Sequence, residues 1–245
     1  MIKIENVEVI GWEHTIRGMR NPMNSWDKSD SYEAVDCGKC GLVEEKGICT
    51  KEDRPGRCEN YKCYVIGEND LDLMKRLRKA GTDHRKFMRM ITVYLDITAP
   101  LYFFKEWDTY KVGTVANSCS TMHKIHSKEF TLDDFSTEHL DDESVALMEQ
   151  IISNLNECRN VYNNGAKWDF GGGAKGQIKP QSKEYWWQMI QLLPSSYNQK
   201  RTVMLNYEVL ANMYKSRKAH KLDEWREFCK WIETLPYSEL ITGEE

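Results

Sequence analysis

No stretch of this 245-residue sequence approaches the roughly 18 consecutive apolar residues that a membrane-spanning helix needs, so a membrane partner is not expected. A basic surplus is also missing: 34 Lys and Arg stand against 38 Asp and Glu, a formal charge of −4. General duplex-DNA and RNA binders usually carry such a surplus, so nucleic acid is not an expected partner. A small anionic ligand remains open, since it needs only two or three local cations. Met1-Ile-Lys-Ile-Glu-Asn-Val-Glu-Val-Ile10 has no unbroken apolar run and no small-residue cleavage site; its alternation reads as a strand rather than a secretory signal. The expected location is the cytoplasm, where the eight cysteines would be reduced, metal-bound or catalytic rather than paired. Internal repeats and low-complexity tails are absent as well. What is present is ordinary for a globular chain, with 40% hydrophobic and 29% charged residues, and a chain of this size buries a core without disulfide staples.

The pattern along the chain predicts a strand over residues 1–12 and a short helix from Ile16 to Met23, ended by Pro22. Asn24 to Asp36 reads as a loop. Asn69 and Asp70 offer helix N-caps for a helix from Leu71 to Ala80, with Gly81 to end it. Ile91 to Ile97 alternates with many β-branched residues and reads as a strand broken at Pro100, followed by an aromatic helix from Leu101 to Trp107. Ser144 to Asn160 is an amphipathic helix with Val145, Met148, Ile151, Ile152, Leu155 and Cys158 on one stripe. Gly165 to Pro180 reads as a flexible connector. Three further helices are expected over Glu184–Leu193, Val203–Lys215 and Leu222–Leu235.

Between Cys37 and Cys63 the chain has almost no apolar content but five cysteines. Cys37-Gly-Lys-Cys40 is a C-x2-C knuckle and Cys58-Glu-Asn-Tyr-Lys-Cys63 a C-x4-C pair, seventeen residues apart. Two short-spaced pairs fit a tetrahedral zinc site, each supplying two thiolates. Such a segment has too little apolar surface to order itself, and metal binding would supply the folding energy. Four thiolates leave no open position, so the zinc at Cys37, Cys40, Cys58 and Cys63 would be structural. An iron–sulfur cluster and a loop of free thiols are the other readings.

Three segments concentrate polar chemistry. One is Gly81-Thr-Asp-His84. A second runs from Ala99-Pro100 through Glu106-Trp107 to Asn117-Ser-Cys119-Ser120-Thr-Met-His123, a polar run that costs desolvation if buried without partners and so should face solvent or line a site. The third is Leu193-Pro194 with Asn206, Asn212 and Arg217. On one helix Asn206 and Arg217 would lie within about 20° of a single face, and the arginine could fork onto a phosphate. Each of these residues also reads as part of a solvated face. Cys119 reads either as a thiol nucleophile or as a small buried side chain.

These segments resemble the flavin-dependent thymidylate synthases. Ala99-Pro100 and Glu106-Trp107 match the family's Ala-Pro and Gln-Trp at the same spacing. Continuing without a gap, Cys119 falls on the family's active-site serine, and a one-residue shift puts Ser120 there. Leu193-Pro194, Asn206, Leu210, Asn212 and Arg217 keep the spacing of the carboxy-terminal motif. The likeness covers about residues 1–20, 70–125 and 185–235; the cysteine segment is not part of it. Departures are clear: Thr109-Tyr110-Lys111 stands where the family has Arg-His-Arg, and Glu208 replaces the arginine of the carboxy-terminal motif. A lysine cannot copy the bidentate contacts of a lost arginine.

The resemblance implies an α+β fold with a central antiparallel sheet flanked by helices, here a single domain over residues 1–245 with the insertion at 37–63. It implies FAD held by His84, Lys111, Asn206 and Asn212. It implies a dUMP-like nucleotide held by Glu106, Ser120 and Arg217, with Cys119 and Ser120 at the reacting centre. NADPH and methylenetetrahydrofolate would be cosubstrates and the assembly a homotetramer, the reaction being one-carbon transfer to C5 of a deoxypyrimidine monophosphate. The alternative is an altered scaffold that binds a nucleotide or flavin as a sensor or sequestering protein.

Overall fold

β-Branched and aromatic residues alternate in Thr92–Pro100, and the computed structural model of the protein forms strand β4 there, with Val93, Leu95, Ile97 and Ala99 buried. The structure describes residues 2–36, 62–169 and 175–243. Along these the elements are β1 (Lys3–Ile10), α1 (Trp12–Arg20), β2 (Tyr32–Val35), β3 (Lys62–Val65), α2 (Glu68–Lys79), β4 and α3 (Leu101–Trp107). There follow β5 (Val115–Ser118), α4 (Asp142–Asn164), β6 (Ala166–Asp169), β7 (Lys175–Ile178), α5 (Lys183–Leu192), β8 (Asn198–Asn206), α6 (Tyr207–Arg217), α7 (Asp223–Glu233) and α8 (Glu239–Thr242). The chain forms two units. One comprises Met1–Glu8, Tyr94–Leu205 and Met213–Thr234; the other comprises Val9–Val93, Asn206–Asn212 and Leu235–Glu245.

The first unit is built on a four-stranded sheet of order β1-β4-β8-β5. Its edge strand β5 runs antiparallel to β8, with Ser118 opposite Arg201. On the face away from the apolar alternation, Asp96 accepts hydrogen bonds from Thr202 Oγ1 at 2.6 Å and Asn6 Nδ2 at 2.9 Å and pairs with Lys200 at 3.2 Å, tying three strands together. Those donors, Thr202 foremost, bring the Asp96 carboxyl down to about 2. Helices α3 and α7 meet through Phe103, Trp107, Trp225 and Phe228, all fully buried, with ring centroids 4.6–6.5 Å apart. Each such aromatic contributes about 1.5–3 kcal/mol by leaving water. Helices α4 and α5 close a second cluster of Ile125, Phe130, Phe135, Ile152, Leu155, Cys158 and Met189.

The second unit has a polar centre. Asp70 is fully buried and accepts from Arg20 Nε at 2.6 Å, from the hydroxyls of Ser29 and Ser31 at 2.7 Å each, and from the backbone N–H groups of Asp30 and Ser31. Arg20 in turn donates to the carbonyls of Ser25 and Lys28. Burial alone would raise the Asp70 carboxyl, but the serine and arginine donors outweigh it and hold it below the usual carboxylate value. The expected N-cap role for Asn69 and Asp70 is thereby corrected. Helix α2 starts one turn earlier, at Glu68, and its first N–H groups, those of Asn69 and Asp70, donate to the carboxylate of Asp30. A cap supplied from forty residues away leaves Asp70 free to organise the interior.

Several expected elements shift. Helix α1 begins at Trp12, four residues before the expected start. The expected loop from Asn24 to Asp36 contains β2, which pairs antiparallel with β3 in the register Tyr32↔Val65 to Val35↔Lys62, so the segment between them closes on a four-pair ladder. The expected connector from Gly165 to Pro180 contains two antiparallel paired strands, β6 and β7. The expected helix from Val203 divides into the end of β8 and α6, because Val203 and Leu205 alternate as buried strand residues. Asn206 caps the start of α6, its Oδ1 accepting from the N–H of Val209 at 3.1 Å. Asn206 and Arg217 therefore do not share a helix face.

Removing the carboxylate at the centre of the second unit strands a buried guanidinium. Asp70→Ala should lower stability by about 3–5 kcal/mol in denaturant unfolding. Because the folded carboxyl lies below its unfolded value, the stabilisation it gives is complete above the ordinary carboxylate range and is lost as pH falls through the folded value. An acid titration followed by circular dichroism should show that loss, and Asp70→Asn should flatten it.

Candidate functional site

In the first unit the end of α3, the end of α6 and the segment leading to α7 bring a charged cluster together. Arg217 Nη1 donates to Glu106 Oε2 at 2.7 Å and Nε donates to the Tyr110 hydroxyl at 3.0 Å. The guanidinium stands 5.1 Å from the Trp225 ring and 5.7 Å from that of Tyr110, within cation–π range. His220 places Nε2 3.2 Å from the same Glu106 oxygen, while its Nδ1 accepts from the N–H of Leu222 at 3.2 Å. A ring nitrogen that accepts a backbone N–H carries no proton, so the proton sits on Nε2 and points to Glu106. Local packing explains the arrangement: Trp107 and Trp225 are anchored in the aromatic cluster, which fixes Glu106 on one side and His220 on the other.

Near the edge strand, Cys119 follows β5. Its N–H donates to the Lys200 carbonyl at 2.9 Å and its own carbonyl accepts from Gln199 Nε2 at 2.8 Å, so the backbone is pinned to β8. The Cys119 side chain is exposed, which removes the reading of it as a small buried residue. Ser120 Oγ accepts from the N–H groups of Met122 and His123 at 3.2 and 2.9 Å, closing a turn. Arg201, opposite Ser118, donates to Gln199 Oε1 and pairs with Asp108 at 2.7 Å, with its guanidinium 3.8 Å from the Phe104 ring centroid. Half-buried Tyr197 has its phenol pushed up, first by desolvation and then by the negative charge of Asp134. Lys111 is exposed in the turn after Tyr110.

In the second unit a cleft of about 1220 Å³ opens between α1, α2 and the 3-10 turn Arg85–Met90. His84 lines it together with the cationic Lys28, Arg76 and Lys86 and with apolar Met19 and Phe87. The volume exceeds the about 300–1,000 Å³ usual for drug-sized ligands. Gly81, at φ 109°, turns the chain so that the N–H groups of His84 and Arg85 both donate to its carbonyl. Arg85 then pairs with buried Glu208, Nε lying 3.0–3.1 Å from its two oxygens, and donates to Asn212 Oδ1 at 3.3 Å. Burial, and next the charge of Arg85, lower the Arg78 guanidinium, while Glu208 raises it.

With this geometry in view, two solved structures are similar along nearly the whole chain. Thymidylate synthase X of Helicobacter pylori with FAD and dUMP gives a TM-score of 0.62 at 13% identity, covering 99% of this chain and 98% of that one. A second structure of the flavin-dependent thymidylate synthase ThyX from the same organism, complexed with FAD and dUMP, gives 0.60 at 12% identity, covering 98% and 99%. The chain has a ThyX-like fold. No family model matches it, and no curated protein matches it by sequence. The mixed architecture of an antiparallel sheet flanked by helices is the one the resemblance implies.

Within the ThyX-like fold the sequence-derived residues separate by unit. Glu106 and Arg217 meet in the first, and Lys111, Cys119 and Ser120 belong to the same unit. His84, Asn206 and Asn212 belong to the second. Sequence reading passed over Tyr110 and His220 as partners of Arg217, Arg85 as the partner of Asn212, and the cleft cations Lys28, Arg76 and Lys86. The signal for Arg85 was available: a charge reversal at Glu208 within an otherwise matching motif calls for a cation elsewhere. Of the four metal-ligand cysteines, Cys37, Cys40 and Cys58 lie outside the described residues, and Cys63 is half-buried in β3. Among the described residues no group of three or more His, Cys, Asp and Glu side chains gathers as metal ligands. No helix among the described residues is long and apolar enough to cross a membrane.

Arg85→Ala leaves the Glu208 carboxylate buried without its partner. The expected loss is about 1–3 kcal/mol in denaturant unfolding, and Arg85→Ala/Glu208→Gln should recover part of it. A loss in the double variant equal to the sum of the two single losses would show that the pair contributes nothing beyond its parts.

Proposed function

We propose that the protein is a flavin-dependent enzyme of deoxypyrimidine metabolism, transferring a one-carbon unit to C5 of dUMP or a related nucleotide. Methylenetetrahydrofolate is the donor, NADPH the reductant, and the working assembly a homotetramer in the cytoplasm. The observation that carries the reading is the likeness in fold, over nearly all of the chain, to enzymes solved with FAD and dUMP. Two features of the chain add support. Glu106 and Arg217, 111 residues apart, come into contact, and His84 lines a cleft whose chemistry suits a flavin nucleotide.

The cleft passes a test of fit. FAD combines a flat, largely apolar ring system with a charged pyrophosphate, and the walls offer Met19 and Phe87 for the first and Lys28 and Lys86 for the second, with Arg76 paired to Asp72 and Asp83 also in the lining. These cations do the work for which the Arg-His-Arg motif is missing at Thr109-Tyr110-Lys111. FAD supplies hydride chemistry when bound. The residues of the chain bind and orient: His84 and Asn212 on the flavin side, with Asn206 fixing the start of α6, and Ser120 and Arg217 on the nucleotide. Cys119, exposed beside Ser120, is free to approach a pyrimidine ring. Positioning and fixed charge supply the catalysis. The cysteine segment holds a structural zinc through Cys37, Cys40, Cys58 and Cys63.

One observation favours a second reading, a binding protein without turnover. Arg217 is already engaged by Glu106.

Titration with FAD and dUMP, separately and together, tests the proposal. Flavin absorbance near 450 nm should report binding that tightens with dUMP, and tritium should be released from C5. Lys86→Glu should weaken FAD at least tenfold while leaving dUMP unchanged. dUMP binding without flavin binding would instead support the scaffold reading. Purified protein should also carry about one zinc per chain and lose it in Cys37→Ser/Cys40→Ser; metal content that survives this change would overturn the zinc assignment.

A further inference from the structure

Arg217 does not stand free. Its Nη1 is 2.7 Å from a Glu106 oxygen and its Nε is satisfied by Tyr110. Glu106 also takes the Nε2 proton of His220, so two donors hold the carboxylate in place. The three side chains are half-buried to largely buried, with Glu106 36%, Arg217 20% and His220 22% exposed, and the rings of Tyr110 and Trp225 flank the guanidinium. Leu222 donates to Nδ1 of His220, which turns Nε2 toward Glu106. Arg226 donates to the carbonyls of His220 and Lys221 and pairs with Asp223. At the centre of the cluster one guanidinium faces one carboxylate.

We propose that Glu106 is a specificity-determining residue that competes with the ligand's phosphate for Arg217, so that the site takes a pyrimidine deoxynucleoside about as well as its 5′-monophosphate. The inference rests on the reading of the first unit as a pyrimidine site. The physics is an exchange. For a phosphate to take the arginine fork, the Arg217–Glu106 pair must open, and the released carboxylate then stands beside a phosphate dianion. Like charges at this range repel, and the exchange replaces one charge-assisted hydrogen bond with another. The phosphate thus adds little net affinity. An uncharged 5′-hydroxyl leaves the pair intact and can accept from or donate to its rim. A glutamine at 106 keeps the shape and loses the charge. It frees Arg217 for an anion.

Calorimetry on the full-length protein tests this, with deoxyuridine and dUMP as ligands for the unmodified chain and for Glu106→Gln. In the unmodified chain the two dissociation constants should agree within about threefold. In Glu106→Gln, dUMP should bind at least tenfold tighter than before, while deoxyuridine stays within twofold. The inference is overturned if the unmodified protein already prefers dUMP by tenfold or more, a comparison that needs no variant. It is overturned equally if a folded Glu106→Gln, with melting intact, leaves dUMP affinity unchanged. Inorganic phosphate, followed by 31P line broadening in both proteins, separates the two ways of failing. If neither pyrimidine binds but phosphate broadens only with Glu106→Gln, the pyrimidine reading fails and the competition at Arg217 stands. If phosphate behaves alike in both, the competition fails whatever the pyrimidines do.

Discussion

A buried carboxylate with five donors organises the second unit. Asp70 gathers Arg20 from α1, the hydroxyls of Ser29 and Ser31, and two backbone N–H groups onto one helix position. Charge buried so completely is tolerated only when every lone pair is met. Meeting them dictates the path of residues 25–31, because their carbonyls, hydroxyls and amides must all reach one point. That path supplies Ser25 and Lys28 to the wall of the cleft, and α2 supplies Asn69, Asp72 and Arg76. The shape of the candidate flavin cleft is in this sense a by-product of satisfying one aspartate.

The first unit is held by different means. Its α3–α7 contact is aromatic and dry, and at its rim the apolar packing gives way to the Glu106, Arg217 and His220 cluster. Rigid rings behind charged groups are a common recipe for pre-organised binding, since the side chains cannot relax away from the geometry the rings impose. The same rigidity makes the identity of residue 106 matter. In a loose surface the carboxylate would swing off when a better partner arrived; here Trp107 and Trp225 keep it within reach of the guanidinium.

Local patterns were legible in the sequence wherever the cause was local. The aromatic run of α3 and the alternation of β4 follow from residues within one or two turns of each other, and the structure reproduces both. Reading failed where the decisive partner was remote. Asp70 carries the signature of an N-cap, and only the arrival of residues 29–31 from forty positions away turns it into an interior hub. Val203 to Lys215 has the apolar content of one helix, but Val203 and Leu205 are claimed by the sheet, and Asn206 marks the switch from strand to helix. Of the site, Glu106 and Arg217 were each legible as candidates, but their contact across 111 positions was not, and neither was the partnership of Arg85 with Glu208 across 123.

The ladder of β2 and β3 has a separate meaning for the length of the segment between them. Val35 and Lys62 are paired neighbours, so the two ends of that segment lie at almost the same point. The entropy of closing a loop grows only slowly with its length, and here the ends are already joined by strand pairing. An insertion at such a point asks nothing of the surrounding core. A change in the number of residues between Val35 and Lys62 therefore leaves the register of the four pairs as it is.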